Sequence, residues 1–111
     1  MSYKTLADQL KLMAHPMRLQ VLDLLRASDE CVCHLSAALD RPQPYMSQQL
    51  AVLRNAGLLT DYKQGTNVFY RLASDEVRRR VDAVLGPADG ADARHVVVNG
   101  CYCPKCSGVS A

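Results

Sequence analysis

The sequence predicts a mainly α domain with a β-hairpin wing, a winged helix-turn-helix in the order α-α-α-α-β-β-α that pairs as a homodimer. Three observations carry this. From Leu6 to Leu53 apolar residues recur at helical spacing, and His15-Pro16, Ser28-Asp29 and Arg41-Pro42 divide the stretch into helices joined by short turns. After Gly57 the period changes to two, giving two β-rich runs around Gly65, before a helical stripe resumes behind Ser74. The first and last helices also carry more apolar residues than one small core needs, which points to a two-fold partner.

The elements follow in order. Leu6, Leu10 and Met13 form one helical stripe, which His15-Pro16 interrupts; Pro16 suits the first turn of a second helix that turns Met17, Val21, Leu24 and Leu25 inward. Ser28-Asp29-Glu30 supplies caps and acidic first-turn residues for a short third helix, Cys31 to Leu39, with Leu35, Ala38 and Leu39 as its apolar face. Asp40-Arg41-Pro42-Gln43 is a turn. Pro44 opens a fourth helix, Pro44 to Asn55, whose core residues are Met46, Leu50 and Leu53, and Gly57 stops it. Residues 59–63 and 67–72 are strands joined by Gln64-Gly65-Thr66, with glycine supplying the backbone angles of a hairpin turn. Ser74 caps a last helix with the stripe Val77, Val81 and Val84 and with Asp75 and Glu76 in its first turn. Residues 1–86 are thus expected to form the DNA-binding and dimerisation domain. Residues 87–111, broken by Gly90, Gly100, Pro104 and Gly108, are expected to be a flexible cysteine-containing tail.

A chain of 111 residues has room for one core. It lacks a cleavable apolar leader and any run approaching the roughly 20 apolar residues of a membrane span, so a soluble cytoplasmic protein is expected. The net charge of +2 is small, but its distribution is uneven: between residues 41 and 71 the positive Arg41, Arg54, Lys63 and Arg71 face a single negative residue, Asp61. A locally basic segment on a near-neutral protein suits phosphate contact.

The fourth helix is placed as the reading helix of such a fold, entering the major groove of double-stranded DNA. Amides and hydroxyls satisfy base edges and phosphates there, which makes Gln43, Ser47, Gln48 and Gln49 candidates; Tyr45 can reach a phosphate or a thymine methyl, and Arg54 adds charge. Around the wing, Lys63, Gln64, Thr66 and Arg71 are candidates for the DNA backbone or the adjacent minor groove. A homodimer of this kind reads an inverted repeat with half-sites roughly 34 to 36 Å apart.

All five cysteines fall in two clusters, Cys31 with Cys33, and Cys101, Cys103 and Cys106 in the tail. In a reducing compartment such clusters bind thiophilic metals or sense redox state rather than staple a fold. Side chains at i and i+2 of a regular helix point about 200° apart, so Cys31 and Cys33 are expected to diverge unless the first helical turn distorts. That turn has few hydrogen bonds to resist unwinding and packs just before the reading helix, so its distortion is the expected switch.

The run Glu30-Cys31-Val32-Cys33-His34-Leu35, with Ala38-Leu39-Asp40, Gln43-Pro44, Ser47, Leu50, Leu53-Arg54, Gly57-Leu58-Leu59 and Lys63-Gln64-Gly65, resembles the ArsR/SmtB family of metal-sensing repressors. The resemblance spans about Leu6 to Leu72. It implies a dimeric winged-helix repressor that leaves its operator when an inducer binds, and no enzyme. Arsenic-responsive members carry Glu-Leu-Cys-Val-Cys-Asp-Leu-Cys here. Cys31 and Cys33 match the first two thiols, His34 stands where aspartate is usual, and Ser36 replaces the third cysteine. As(III) or Sb(III) is then the expected inducer, with cadmium, lead and zinc as alternatives. Because a metalloid takes three thiolates, the tail's Cys101, Cys103 and Cys106 are the expected complement; His34 is a ligand that zinc or cadmium would accept more readily. The zinc site that relatives build on the last helix is absent, since Ser74 to Leu85 contains no histidine.

Other readings stay open at this point. A thiol redox or persulfide sensor on the same fold needs no metal. A structural zinc knuckle would account for the tail alone. A small thiol-redox enzyme would rest on Cys103-Pro104-Lys105-Cys106, but only five residues follow that motif, too few for the helix whose N-terminus lowers such a thiol's pKa. His15 reads as an N-cap-region histidine and His95 as a surface one.

Overall fold

The computed structural model describes residues 2–87. Helices α1 (Tyr3–Met13), α2 (Pro16–Ala27), α3 (Val32–Ala38) and α4 (Gln43–Asn55) precede the hairpin β2 (Leu59–Gln64) and β3 (Asn67–Leu72), and α5 (Asp75–Leu85) closes the domain. A further strand, β1 (Glu30–Cys31), sits between α2 and α3.

Local chemistry sets most of these boundaries. The side chains of Ser2, His15 and Ser74 each accept a backbone N–H at the starts of α1, α2 and α5. Gly57 ends α4 at φ +84°, and Gly65 takes φ +65° in the hairpin turn, both in the left-handed region that favours glycine. One face each of α2, α4 and the hairpin meets in the core, where Val21, Leu22, Met46, Leu50, Leu53 and Leu58 are fully buried. The helical stripes are close to those expected but shifted at the edges. Leu22 is buried, Ala38 is exposed, and Leu10 and Val84 are 43% and 51% exposed, leaving apolar surface on α1 and α5.

The element that sequence periodicity does not reveal is β1. Glu30 and Cys31 do not begin the third helix; they pair antiparallel with Tyr70 and Phe69, making a three-stranded sheet in the order β1-β3-β2. The topology is therefore α-α-β-α-α-β-β-α. A two-residue strand has no period of its own, and its extended backbone is stabilised by a ladder to residues about 40 positions away.

Gln9 is a buried polar residue on the core side of α1. Its amide donates to the Ala56 carbonyl at 2.8 Å and accepts from Arg80 Nη1 at 2.6 Å, so one side chain ties α1 and α5 to the C-terminal end of α4. A Cβ on Gly57 would lie 3.3 Å from the Gln9 amide nitrogen, a second reason for glycine there. Arg26 performs a similar role on the other side, reaching Asp82 and the Gly86 carbonyl to pin the end of α5 to α2.

Candidate nucleic-acid interface and thiol site

With Met46, Leu50 and Leu53 buried, α4 turns Gln43, Ser47 and Gln48 outward, all exposed. Tyr45 is half-buried and packs against the core. Gln49 is also half-buried, and its Oε1 accepts from Arg18 Nε at 2.8 Å; Arg18 Nη1 donates to the Leu12 carbonyl as well. Gln49 therefore has its oxygen engaged within the protein and only its amide N–H groups to offer. Arg18 places a positive charge beside the reading helix, and α2's stripe gives no sign of it.

Arg54 forms a 2.9 Å ion pair with Asp61 on β2, both partners partly exposed, which links the end of α4 to the wing. At the wing Lys63, Gln64, Thr66 and Arg71 are all exposed. Opposed residues of antiparallel strands share a face, and the register pairs Lys63 with Val68, Gln64 with Asn67 and Thr60 with Arg71. Gln64 and Arg71 thus lie on one face of the hairpin and Lys63 on the other. The helix and wing candidates present polar and positive groups from two adjoining elements, the arrangement that phosphate and base-edge contacts require.

The thiol site differs from its expected geometry. Cys31 Sγ and Cys33 Sγ lie 3.1 Å apart. They converge because Cys31 is not helical: it is the N-cap of α3, at φ −86° and ψ 164°, so the 200° rule for a regular helix does not apply to the pair. No distortion of the first turn is needed to bring the sulfurs together. Cys31 is buried beside Phe69 in the sheet register, and Cys33 is half-buried.

His34 is buried and its Nε2 lies 2.8 Å from Glu30 Oε2, itself buried. A charged or strongly polar pair at this depth is sustained by mutual hydrogen bonding, so His34 braces β1 against α3. Ser36, in the position of the third cysteine, donates its hydroxyl to the Arg41 carbonyl and stabilises the turn into α4, where Asp40 takes φ +53°. Among the described residues no three His, Cys, Asp or Glu side chains are arranged to hold a metal ion. The Cys31 and Cys33 sulfurs are neighbours at the start of α3; Cys101, Cys103 and Cys106 lie outside the described residues.

The family described as "Bacterial regulatory protein, arsR family" matches residues 15–61, from α2 through the first residues of β2. The chain is 46% identical over 74 residues to the arsenical resistance operon repressor of Escherichia coli (strain K12), covering 66% of this chain and 63% of that protein. The chain thus spans under two thirds of that relative's length. It is 30% identical over 104 residues to the arsenical resistance operon repressor of Staphylococcus xylosus, covering 91% of this chain and 100% of that one. Among solved structures, the homodimeric winged helix-turn-helix DNA-binding domain Mb0332 from Mycobacterium bovis superposes with a TM-score of 0.71 at 30% identity, over 74% of this chain and 76% of that one. These relatives are regulators of transcription rather than enzymes, and among the described residues no helix is long and apolar enough to cross a membrane. On the family match and these identities, the chain belongs to the arsR family of bacterial regulatory proteins.

Proposed function

We propose that the chain is a cytoplasmic, homodimeric transcriptional repressor that binds an inverted-repeat operator and releases it when As(III) or Sb(III) is captured by Cys31 and Cys33. The observation that carries this is the 3.1 Å approach of the two sulfurs at the start of α3, the helix packed against α4. An ion held by both would pull on the N-cap of α3, and α4 bears the exposed Gln43, Ser47 and Gln48. The arsenical-resistance names of two relatives support the choice of inducer. A third thiolate from Cys101, Cys103 or Cys106 completes the site. The half-exposed Leu10 and Val84 on α1 and α5 support pairing of those helices between subunits.

The test is a titration of the reduced protein with arsenite, followed by sulfur-to-arsenic absorbance and by operator binding. Release of operator in step with the absorbance, lost in Cys31→Ser and Cys33→Ser, is the expected result. Absence of both signals would sink the metalloid reading. The DNA half is tested separately by salt, since neutralised phosphates make affinity fall steeply as salt rises.

The same sulfur contact favours a second reading, in which Cys31 and Cys33 of the reduced protein lose two protons and two electrons to a disulfide or peroxide oxidant and become a disulfide. Operator release on treatment with diamide, with no response to arsenite, would select it.

A further inference from the structure

The strand that carries Cys31 is joined to the wing as well as to α3. Cys31 lies opposite Phe69 on β3, and Phe69 lies opposite Tyr62 on β2. Directly opposed residues project from one face of the sheet, so Cys31, Phe69 and Tyr62 make a single row across the three strands. Phe69 is fully buried, and the Tyr62 ring stacks on it with centroids 5.7 Å apart. Beyond it, the Tyr62 hydroxyl donates to Asp29 Oδ2 at 2.8 Å. Asp29 immediately precedes β1. The outer strand of the wing therefore grips the chain two residues before Cys31. Burial, and then the Asp29 carboxylate, push the Tyr62 phenol up to about 12, so the hydroxyl stays a donor at neutral pH.

We infer that Tyr62 is a positioning residue for induction: movement of Cys31 passes through Phe69 and the Tyr62–Asp29 hydrogen bond into the wing, alongside the path through α3 into α4. A strand of two residues cannot absorb displacement internally. When Cys31 moves, either its ladder to β3 breaks or the sheet follows, and the bond to Asp29 favours the second outcome. The wing carries Lys63, Gln64, Thr66 and Arg71, so a shift there weakens DNA contact directly. The inference rests on the repressor reading above.

Tyr62→Phe keeps the ring stack and removes the hydroxyl, and Asp29→Asn keeps the size and removes the charge. Operator affinity of the full-length protein is measured with and without sodium arsenite, together with arsenite binding to the free protein. Wild type is expected to lose affinity by a factor within the roughly 5 to 150 of ordinary allosteric coupling. Tyr62→Phe should bind operator without arsenite within about threefold of wild type and bind arsenite equally well. Its arsenite response should be smaller by up to about tenfold, the effect of one charge-assisted hydrogen bond, and should vanish where the wild-type response is below that, with Asp29→Asn in between. Arsenite should also shift the ring resonances of Tyr62 in wild type. An unchanged arsenite response in both variants, with wild type responding, would overturn the positioning role alone. Loss of arsenite binding in both variants would overturn it too, as a purely structural contact. A wild-type protein that binds operator but ignores arsenite would defeat the metalloid reading and this inference with it.

Discussion

Replacing Gln9 by alanine removes a side chain that joins α1, α5 and the end of the reading helix. The amide is 5% exposed and makes two bonds, to the Ala56 carbonyl at 2.8 Å and from the Arg80 guanidinium at 2.6 Å. A neutral bond contributes about 1 kcal/mol and a charge-assisted one about 1.5 to 3 kcal/mol, partly offset because Arg80 keeps Glu76 as a partner at 2.7 Å. The expected loss is about 2 to 3 kcal/mol, which for a domain of this size lowers the melting temperature by roughly 10 to 20 °C. Thermal denaturation followed by circular dichroism measures it, at fixed protein concentration because dimerisation shifts the midpoint. Pairing with Arg80→Met in a double-mutant cycle isolates the Gln9–Arg80 contribution. A loss below about 0.5 kcal/mol, or strict additivity in the cycle, would refute the tether, since an unsatisfied Ala56 carbonyl and a displaced guanidinium cannot both be free of cost.

Other outcomes follow from the same contacts. Ser74→Ala removes the cap that Val77's N–H donates to at 3.2 Å and should cost about 1 kcal/mol of stability by urea denaturation, with operator affinity following only through stability. Lys63→Ala should weaken operator binding and reduce the slope of log affinity against log salt by about 1, one phosphate contact's share, while Gln48→Ala should alter sequence preference and leave that slope unchanged. Tyr62 is a pH-sensitive element: burial and the Asp29 carboxylate push its phenol from the ordinary 10.0 up to about 12, so its contribution is complete below pH 10 and fades as pH rises toward 12. Near-ultraviolet titration should show a late-ionising tyrosine signal that vanishes in Tyr62→Phe; identical titration curves for the two proteins above pH 10 would contradict the Asp29 bond.

Much of the fold was legible because its signals are local. Met46, Leu50 and Leu53 share one helix face at any tertiary arrangement, and Ser74, Gly57 and Gly65 act on backbone angles within a few residues. The outward Gln43, Ser47 and Gln48 follow from the same periodicity. The thiol site was legible in composition and not in geometry. Cys31 and Cys33 were recognisable as a pair, yet their convergence depends on an extended residue that only β3 stabilises. Gln49 and Arg54 read as free polar groups in sequence, whereas Arg18 and Asp61 occupy them.

The sequence by itself determined the element types, their order apart from β1 and the family, and it singled out the clustered cysteines, because periodicity, caps and residue spacing are written in short segments. Tertiary structure alone decided what those residues face. It turned Cys31 toward Cys33, set His34 against Glu30 in the interior, spent Ser36 on the turn into α4 and hung the wing on β1 through Tyr62 and Asp29. Each of these contacts joins separate elements or breaks a helical period. Their stability comes from burial and pairing that exist only once the chain has closed on itself.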